Sequence, residues 1–160
     1  MVDSSENFPT PSLNIVLVEP EIPPNTGNVG RLCVATSSKL HLIEPLGFNL
    51  DEKSLRRAGM DYWDELELKI WPSFEVLKSF TKEASRFWFF TTKVEKLFWE
   101  VQFKPGDYLV FGRETKGLPF SLIEEHIESC VRIPMVSKAR SLNLATSVGI
   151  GLYGALNSLK

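Results

Sequence analysis

The sequence predicts an α/β domain built on a mostly parallel sheet flanked by helices. Three observations carry this. Short apolar runs such as LNIVLV (Leu13 to Val18) and YLVF (Tyr108 to Phe111) lack polar alternation, as strands covered on both faces should. Strand-like and helix-like patterns alternate along the chain, which favours parallel strands joined by crossovers. Near the C-terminus, two β-rich runs break into Gly, Pro, Ser and Asn, in FGRETKGLP (Phe111 to Pro119) and RIPMVSKARSLNLATS (Arg132 to Ser147). A buried strand that breaks in this way offers backbone N–H and C=O groups to a ligand. Two such breaks before a terminal helix predict one crevice walled by main chain, suited to a small polar ligand.

The first strand, Leu13 to Val18, ends in Glu19-Pro20-Glu21-Ile22-Pro23-Pro24, a stiff turn that cannot join a central ladder. A helix is expected from about Asn25 to Ser38, with Asn25 or Thr26 as N-cap and Val29, Leu32, Cys33 and Thr36 on one face. Leu40 to Ile43 is the second strand, and Asp51 to Ala58 a short charged helix closed by Gly59. Leu68 to Trp71 and Phe87 to Thr91 are further strands, separated by a helix near Ser73 to Lys82. Tyr108 to Phe111 is the next strand, Ser121 to His126 a helical turn, and Cys130 to Ile133 the last strand. A helix from about Leu142 to Leu159 closes the chain. Residues 1–12 are expected to be a loose tail, and residues 13–160 a single domain.

With 160 residues, one domain can bury roughly 70% of its unfolded surface without metal or disulfide help. The 43% hydrophobic and 24% charged content is that of a soluble globular protein. A formal net charge of -2 gives no bulk attraction to nucleic acid, so any RNA-binding surface must be a local patch. Cys33 and Cys130 lie in apolar segments and read as reduced core residues of a cytoplasmic protein. The N-terminus shows no leader pattern and no apolar run approaches ~18 residues, so no membrane partner is expected.

Several patterns exclude chemistry. Gly149-Ile150-Gly151-Leu152-Tyr153-Gly154 matches the dinucleotide fingerprint G-x-G-x-x-G, but it falls inside a helical pattern rather than between a strand and a helix. Packing explains it better. Ser147, Gly151 and Ala155 form a small-residue stripe that lets another helix approach closely, either within the subunit or across a dimer. Such a contact must offset the roughly 2–3 kcal/mol that three glycines cost a helix. His41, His126, Cys33 and Cys130 are the strong soft metal ligands, and their spacing predicts no metal site. No Ser-His-Asp or Cys-His arrangement can be assembled. A transferase whose donor carries its own good leaving group needs less acid–base machinery.

Positive groups flank the strand-end loops. Pro23 to Arg31 is dense in small polar residues at a helix start, where Asn25, Asn28 and Arg31 could hold an anion. Lys53, Arg56 and Arg57 cover one turn of the short helix, and Lys138 and Arg140 precede the last helix. Each group alone reads as solvated surface, but together they would form a phosphate-tracking patch.

PPNTGNVGRLC (Pro23 to Cys33), FGRETKGLP and RIPMVSKARSLNLATSVG (Arg132 to Gly149) resemble, in order and separation, the three motifs of the SpoU-type (SPOUT) RNA methyltransferases. The resemblance runs from Leu13 to about Leu156. LVEPEIPPNTGN, IEPLGF (Ile43 to Phe48) and DEKSLRRAGMDYW (Asp51 to Trp63) are most similar to a minimal subgroup without an added RNA-binding domain. It implies a C-terminal trefoil knot, a homodimer, and S-adenosylmethionine as cofactor with S-adenosylhomocysteine as product. Carried over by position, the cofactor contacts are Phe90, Gly112, Ile133 and Ser141, with Thr91, Glu114, Gly117, Leu118, Met135, Leu142 and Asn143 beside them.

The implied activity is 2′-O-methylation of the wobble ribose, at cytidine or modified uridine, in leucine-type tRNAs. Methylation of another tRNA or rRNA ribose and a non-catalytic RNA-binding module with the same fold are the alternatives. Arg31 matches the family's arginine near the reacting ribose. A guanidinium keeps its proton, so its implied role is electrostatic rather than basic. Gly30 stands where a bulky apolar residue is common, which predicts a looser first helical turn. Arg113 adds a charge beside the cofactor loop, and Ala145-Thr146 replaces a common Ser-Asn pair.

Overall fold

The structure, a computed structural model, describes residues 3–51 and 62–159. Among these, six strands form one all-parallel sheet: β1 (Asn14–Val18), β2 (Lys39–Ile43), β3 (Leu68–Trp71), β4 (Phe87–Phe90), β5 (Tyr108–Phe111) and β6 (Cys130–Val131). The helices are α1 (Pro23–Ala35), α2 (Phe74–Ser79), α3 (Phe120–Glu125) and α4 (Leu144–Ser158). Strand order is β3-β2-β1-β5-β4-β6. Leu17 of β1 therefore pairs with Leu42 on one side and Phe111 on the other.

Alternation along β1 sends its side chains to two cores. Leu13, Ile15 and Leu17 join Leu40, Leu42, Leu109 and Phe111 beneath Val29 and Cys33 of α1 and Val148, Leu152 and Ala155 of α4. Val16 and Val18 join Phe89 and Val110 over Phe74 and Leu77 of α2 and Leu122 and Ile123 of α3. Every β1 residue is buried, which explains the unbroken apolar run. Each fully buried Leu, Ile, Val or Phe contributes about 1.5–3 kcal/mol relative to exposure.

Several element ends differ from expectation. Helix α1 starts at Pro23, two residues early, because prolines fit the first turn, where their missing N–H groups have no helical acceptor. Neither Asn25 nor Thr26 is the N-cap; Ile22 occupies that position without a side-chain cap bond. The helix stops at Ala35, where the Thr36 hydroxyl donates to the Leu32 carbonyl at 2.8 Å and Ser37 takes φ 52°. Helix α2 is shorter than predicted, with the Ser73 hydroxyl capping Val76 N–H at 3.2 Å. Strand β6 has two residues rather than four, since Arg132 leaves the ladder to bridge Leu97. Helix α4 begins at Leu144 because the Asn143 side chain caps it, accepting from Thr146 N–H at 3.2 Å. The expected helix after Asp51, with its Gly59 cap, lies outside the described residues. In the N-terminal segment, Ser5–Asn7 forms a turn, and Phe8 and Pro9 share a groove with Tyr153 and Leu156 of α4.

The glycine-rich run lies wholly within α4. A Cβ on Gly151 would stand 3.0 Å from a Phe90 ring carbon and 3.2 Å from one of Phe111, and one on Gly154 would strike the Phe98 ring. The close neighbours at these two positions are thus aromatic rings of the same subunit, not the second helix that a small-residue stripe suggests. Both cysteines are free and buried. No metal-binding cluster occurs among the described residues, and none of their helices is long and apolar enough to cross a membrane.

His41 of β2 is buried between Asn14 and Trp71. The Trp71 indole can only donate, and it reaches His41 Nδ1 at 3.1 Å, so the ring proton sits on Nε2, 3.0 Å from Asn14 Oδ1. Burial, with Lys69 and Lys39 nearby, lowers the imidazole pKa to about 4. The unfolded chain binds this proton near pH 6.5 and the folded chain only near 4. Stability is therefore complete above pH 6.5 and falls as pH drops toward 4. Urea unfolding should show a loss on the order of 2 kcal/mol from His41 between pH 7 and 4.5. In His41→Gln the loss should be shallower but not absent, because burial and Lys78 also lower the pKa of His126.

Candidate active site

The carboxyl ends of β1 and β5 lie side by side, so the loops leaving them must meet. Beyond β5 the chain closes a small ring, with Arg113 N–H donating to the Gly117 carbonyl at 3.1 Å and Gly117 N–H to the Arg113 carbonyl at 2.9 Å. Gly117 adopts φ 67°, a left-handed conformation that suits glycine. Gly112 is pressed against this return, and a Cβ there would overlap the Gly117 carbonyl carbon and the Leu118 nitrogen.

This loop, the end of β4 and the segment before α4 enclose a cavity of about 430 Å³. Its lining includes Phe90, Thr91, Gly112, Glu114, Gly117, Leu118, Ile133, Met135, Ser141 and Leu142, ten of the eleven positions expected around a cofactor. Arg140 lines it as well. Thr92, Lys93, Ile123, Leu144 and Ser147 also line it, beyond the positions the sequence points to. Ser147 begins the small-residue stripe and Lys93 closely follows a predicted strand end, which were the available signals. Among the described residues, the backbone N–H groups of Leu118, Ile133 and Met135 find no protein acceptor. The lining thus combines apolar side chains with open main-chain donors, as small-ligand sites do.

Asn143, the eleventh position, belongs to a hydrogen-bonded node beside the cavity. The Glu114 carboxylate accepts from Glu21 N–H at 2.8 Å, Ile22 N–H at 2.6 Å and Asn25 Nδ2 at 3.3 Å. Asn143 Nδ2 donates to Asn25 Oδ1 at 3.0 Å. Asn25 is buried with both ends of its amide engaged. Thr115 adds bonds from its N–H (3.2 Å) and hydroxyl (2.7 Å) to the Glu21 carboxylate, which hold that carboxyl below its usual pKa. Arg113 pairs with Glu19 at 2.7 Å, so the extra charge beside the loop is matched. The node joins all three motif-bearing segments.

Arg31 is exposed on α1, about 9 Å along the axis from Asn25, and its guanidinium carbon lies 5.0 Å from the Tyr62 ring centroid. Asn28, one turn earlier, is also exposed. Lys138 and Arg140 are exposed in the segment before α4, whereas Lys53, Arg56 and Arg57 lie outside the described residues. The helix runs unbroken through Gly30, so the looser turn expected there is not seen. Neither His41 nor His126 lines the cavity.

The profile of the SpoU rRNA Methylase family matches residues 12–153. The chain belongs to this family. A tRNA (cytidine(34)-2′-O)-methyltransferase from Aeromonas hydrophila is 47% identical, covering 92% of this chain and 94% of the relative. One of the same name from Saccharophagus degradans is 48% identical, covering 91% and 95%. A structure from work on the 2-OH methylation of C/U34 on tRNA superposes with a TM-score of 0.86 at 41% identity, covering 91% of this chain and 95% of that one. An AdoMet-bound rRNA methyltransferase from Sinorhizobium meliloti shares the fold, with TM-score 0.79 at 24% identity, covering 92% of this chain and 57% of that one. In this SpoU-family chain, the motif residues meet at the Glu114 node and along the cavity wall.

One substitution type should act in opposite directions at two glycines. Gly112→Ala forces the loop ring open and should destabilise by about 2–3 kcal/mol, as overpacking does. Gly149→Ala meets only a Leu32 methyl at 3.6 Å and should stabilise α4 by about 0.5–1 kcal/mol. Urea unfolding of the two variants beside the parent checks both signs.

Proposed function

We propose that this SpoU-family chain is a tRNA 2′-O-ribose methyltransferase that uses S-adenosylmethionine at the wobble nucleotide, cytidine or modified uridine, of leucine-type tRNAs. The observation that carries this reading is 47–48% identity, over nine-tenths of both chains, to enzymes named for cytidine 34 of tRNA. The cavity fits the cofactor: its 430 Å³ is within the about 300–1,000 Å³ usual for such ligands. Leu118 and Ile133 offer apolar faces for a purine, and Phe90, Gly112 and Ser141 complete the nearest contacts, with Thr91, Glu114, Gly117, Met135, Leu142 and Asn143 around them. S-adenosylmethionine supplies, when bound, a methyl group on a positively charged sulfur whose departure leaves a neutral thioether.

The protein's share of the chemistry is placement and charge. Arg31, exposed and permanently cationic, holds a phosphate beside the target ribose and stabilises negative charge growing on the 2′-oxygen. The proton leaves to a phosphate oxygen or to water, which agrees with a cavity lined by no histidine. Lys138 and Arg140, with Lys53, Arg56 and Arg57, supply the local positive patch that a chain of net charge -2 needs, and the Asn28 amide adds a hydrogen-bonding group on α1. Two subunits pair over the exposed apolar residues Ile22, Leu142, Ile150 and Tyr153. The trefoil knot belongs to the same reading; in its favour, residues 132–143 return from the β6 edge to α4, which packs on α1 and β5. The setting is the cytoplasm, where tRNA is the substrate.

Transfer of tritiated methyl groups to total tRNA, followed by mapping of the labelled nucleoside, tests the function. Label should appear on the wobble ribose of leucine-type tRNAs; label only at another ribose, or none, would overturn the assignment. Arg31→Ala should lower the transfer rate at least about 100-fold while S-adenosylhomocysteine affinity, read by calorimetry, stays within about three-fold.

A further inference from the structure

Tyr62 lies 31 positions from Arg31 in sequence, yet its ring faces the Arg31 guanidinium, 5.0 Å from its carbon. Its hydroxyl donates a hydrogen bond to the Gly27 carbonyl. In a helix that same carbonyl receives the N–H of Arg31, four residues on. The ring is therefore fastened to the turn that carries the arginine. Gly30 makes the room. A Cβ there would stand 3.1 Å from the Tyr62 hydroxyl oxygen, 3.3 Å from a ring carbon and 3.2 Å from a Leu66 methyl. Gly30 is thus a glycine with a packing reason in the middle of a helix, where glycine otherwise costs stability.

We infer that Tyr62 is a positioning residue for Arg31. An arginine on an exposed helix face has many rotamers. A ring against its flat face selects a few of them, and so fixes the direction in which the guanidinium is presented to a phosphate. Tyr62 acts through the guanidinium. The inference rests on the electrostatic role proposed above for Arg31.

Steady-state methyl transfer by the intact enzyme, with kcat and KM for tRNA measured separately, tests it in four variants: Tyr62→Leu, Tyr62→Phe, Arg31→Ala and the Tyr62→Leu/Arg31→Ala pair. Tyr62→Leu should lower kcat about ten-fold, with KM and S-adenosylhomocysteine affinity within about three-fold. Tyr62→Phe keeps the ring and should recover most of the loss. In the Arg31→Ala background, Tyr62→Leu should add nothing. A defective Arg31→Ala beside a fully active Tyr62→Leu would overturn the inference and leave the role of Arg31 standing. So would a Tyr62→Leu effect that is as large without the arginine as with it. An Arg31→Ala enzyme of parental rate would instead overturn the role of Arg31, and this inference with it. If Tyr62→Leu lowers the thermal midpoint by more than about 10 °C, Gly30→Val, which crowds the Tyr62 ring and hydroxyl, is read against the same outcomes.

Discussion

The carboxylate of Glu114 ties the cavity loop to the start of the helix that presents Arg31. It stands at the start of α1 and accepts two backbone N–H groups and the Asn25 amide across some ninety residues of chain. The positive end of the helix favours a negative partner there. Ile22 provides no side-chain cap, and Pro23 and Pro24 have no N–H to satisfy, so Glu114 serves the donors that remain. Through Asn25 and Asn143 the same node reaches the start of α4.

Topology makes the node possible. Strand β1 has β2 on one side and β5 on the other, so connections from its neighbours diverge and a crevice opens at the carboxyl end. Parallel pairing then brings the loops after β1 and β5 to the same edge. Two apolar cores hold the strands rigid beneath them, and Gly151 lets α4 settle against Phe90 and Phe111 at the cavity floor. Placement is the main demand of a displacement with a good leaving group, and a rigidly packed scaffold serves that demand.

Much of the scaffold was legible because burial on both faces leaves a plain mark. LNIVLV and YLVF read as strands and are strands. Ten of the cofactor positions carried over from the motif resemblance line one cavity, since strand-end loops of a parallel sheet converge. What escaped notice depends on contacts between distant residues. Pro23-Pro24 reads as a turn until a carboxylate from another loop caps the helix it begins. Asn143 reads as a cavity residue, though its side chain caps α4 and holds Asn25. The stripe through Gly151 invites another helix on paper, and only packing sets the rings of Phe90 and Phe111 against it. Gly30 looks like a weakness until Tyr62 is seen above it.

The most direct measurement of the account's centre is backbone amide exchange at Glu21 and Ile22 in the parent and in Glu114→Gln, with methyl transfer followed on the same samples. Both amides should lose at least about ten-fold of their protection in the variant, and transfer should fall with them. A variant whose Glu21 and Ile22 amides exchange freely while transfer proceeds at the parental rate would contradict it.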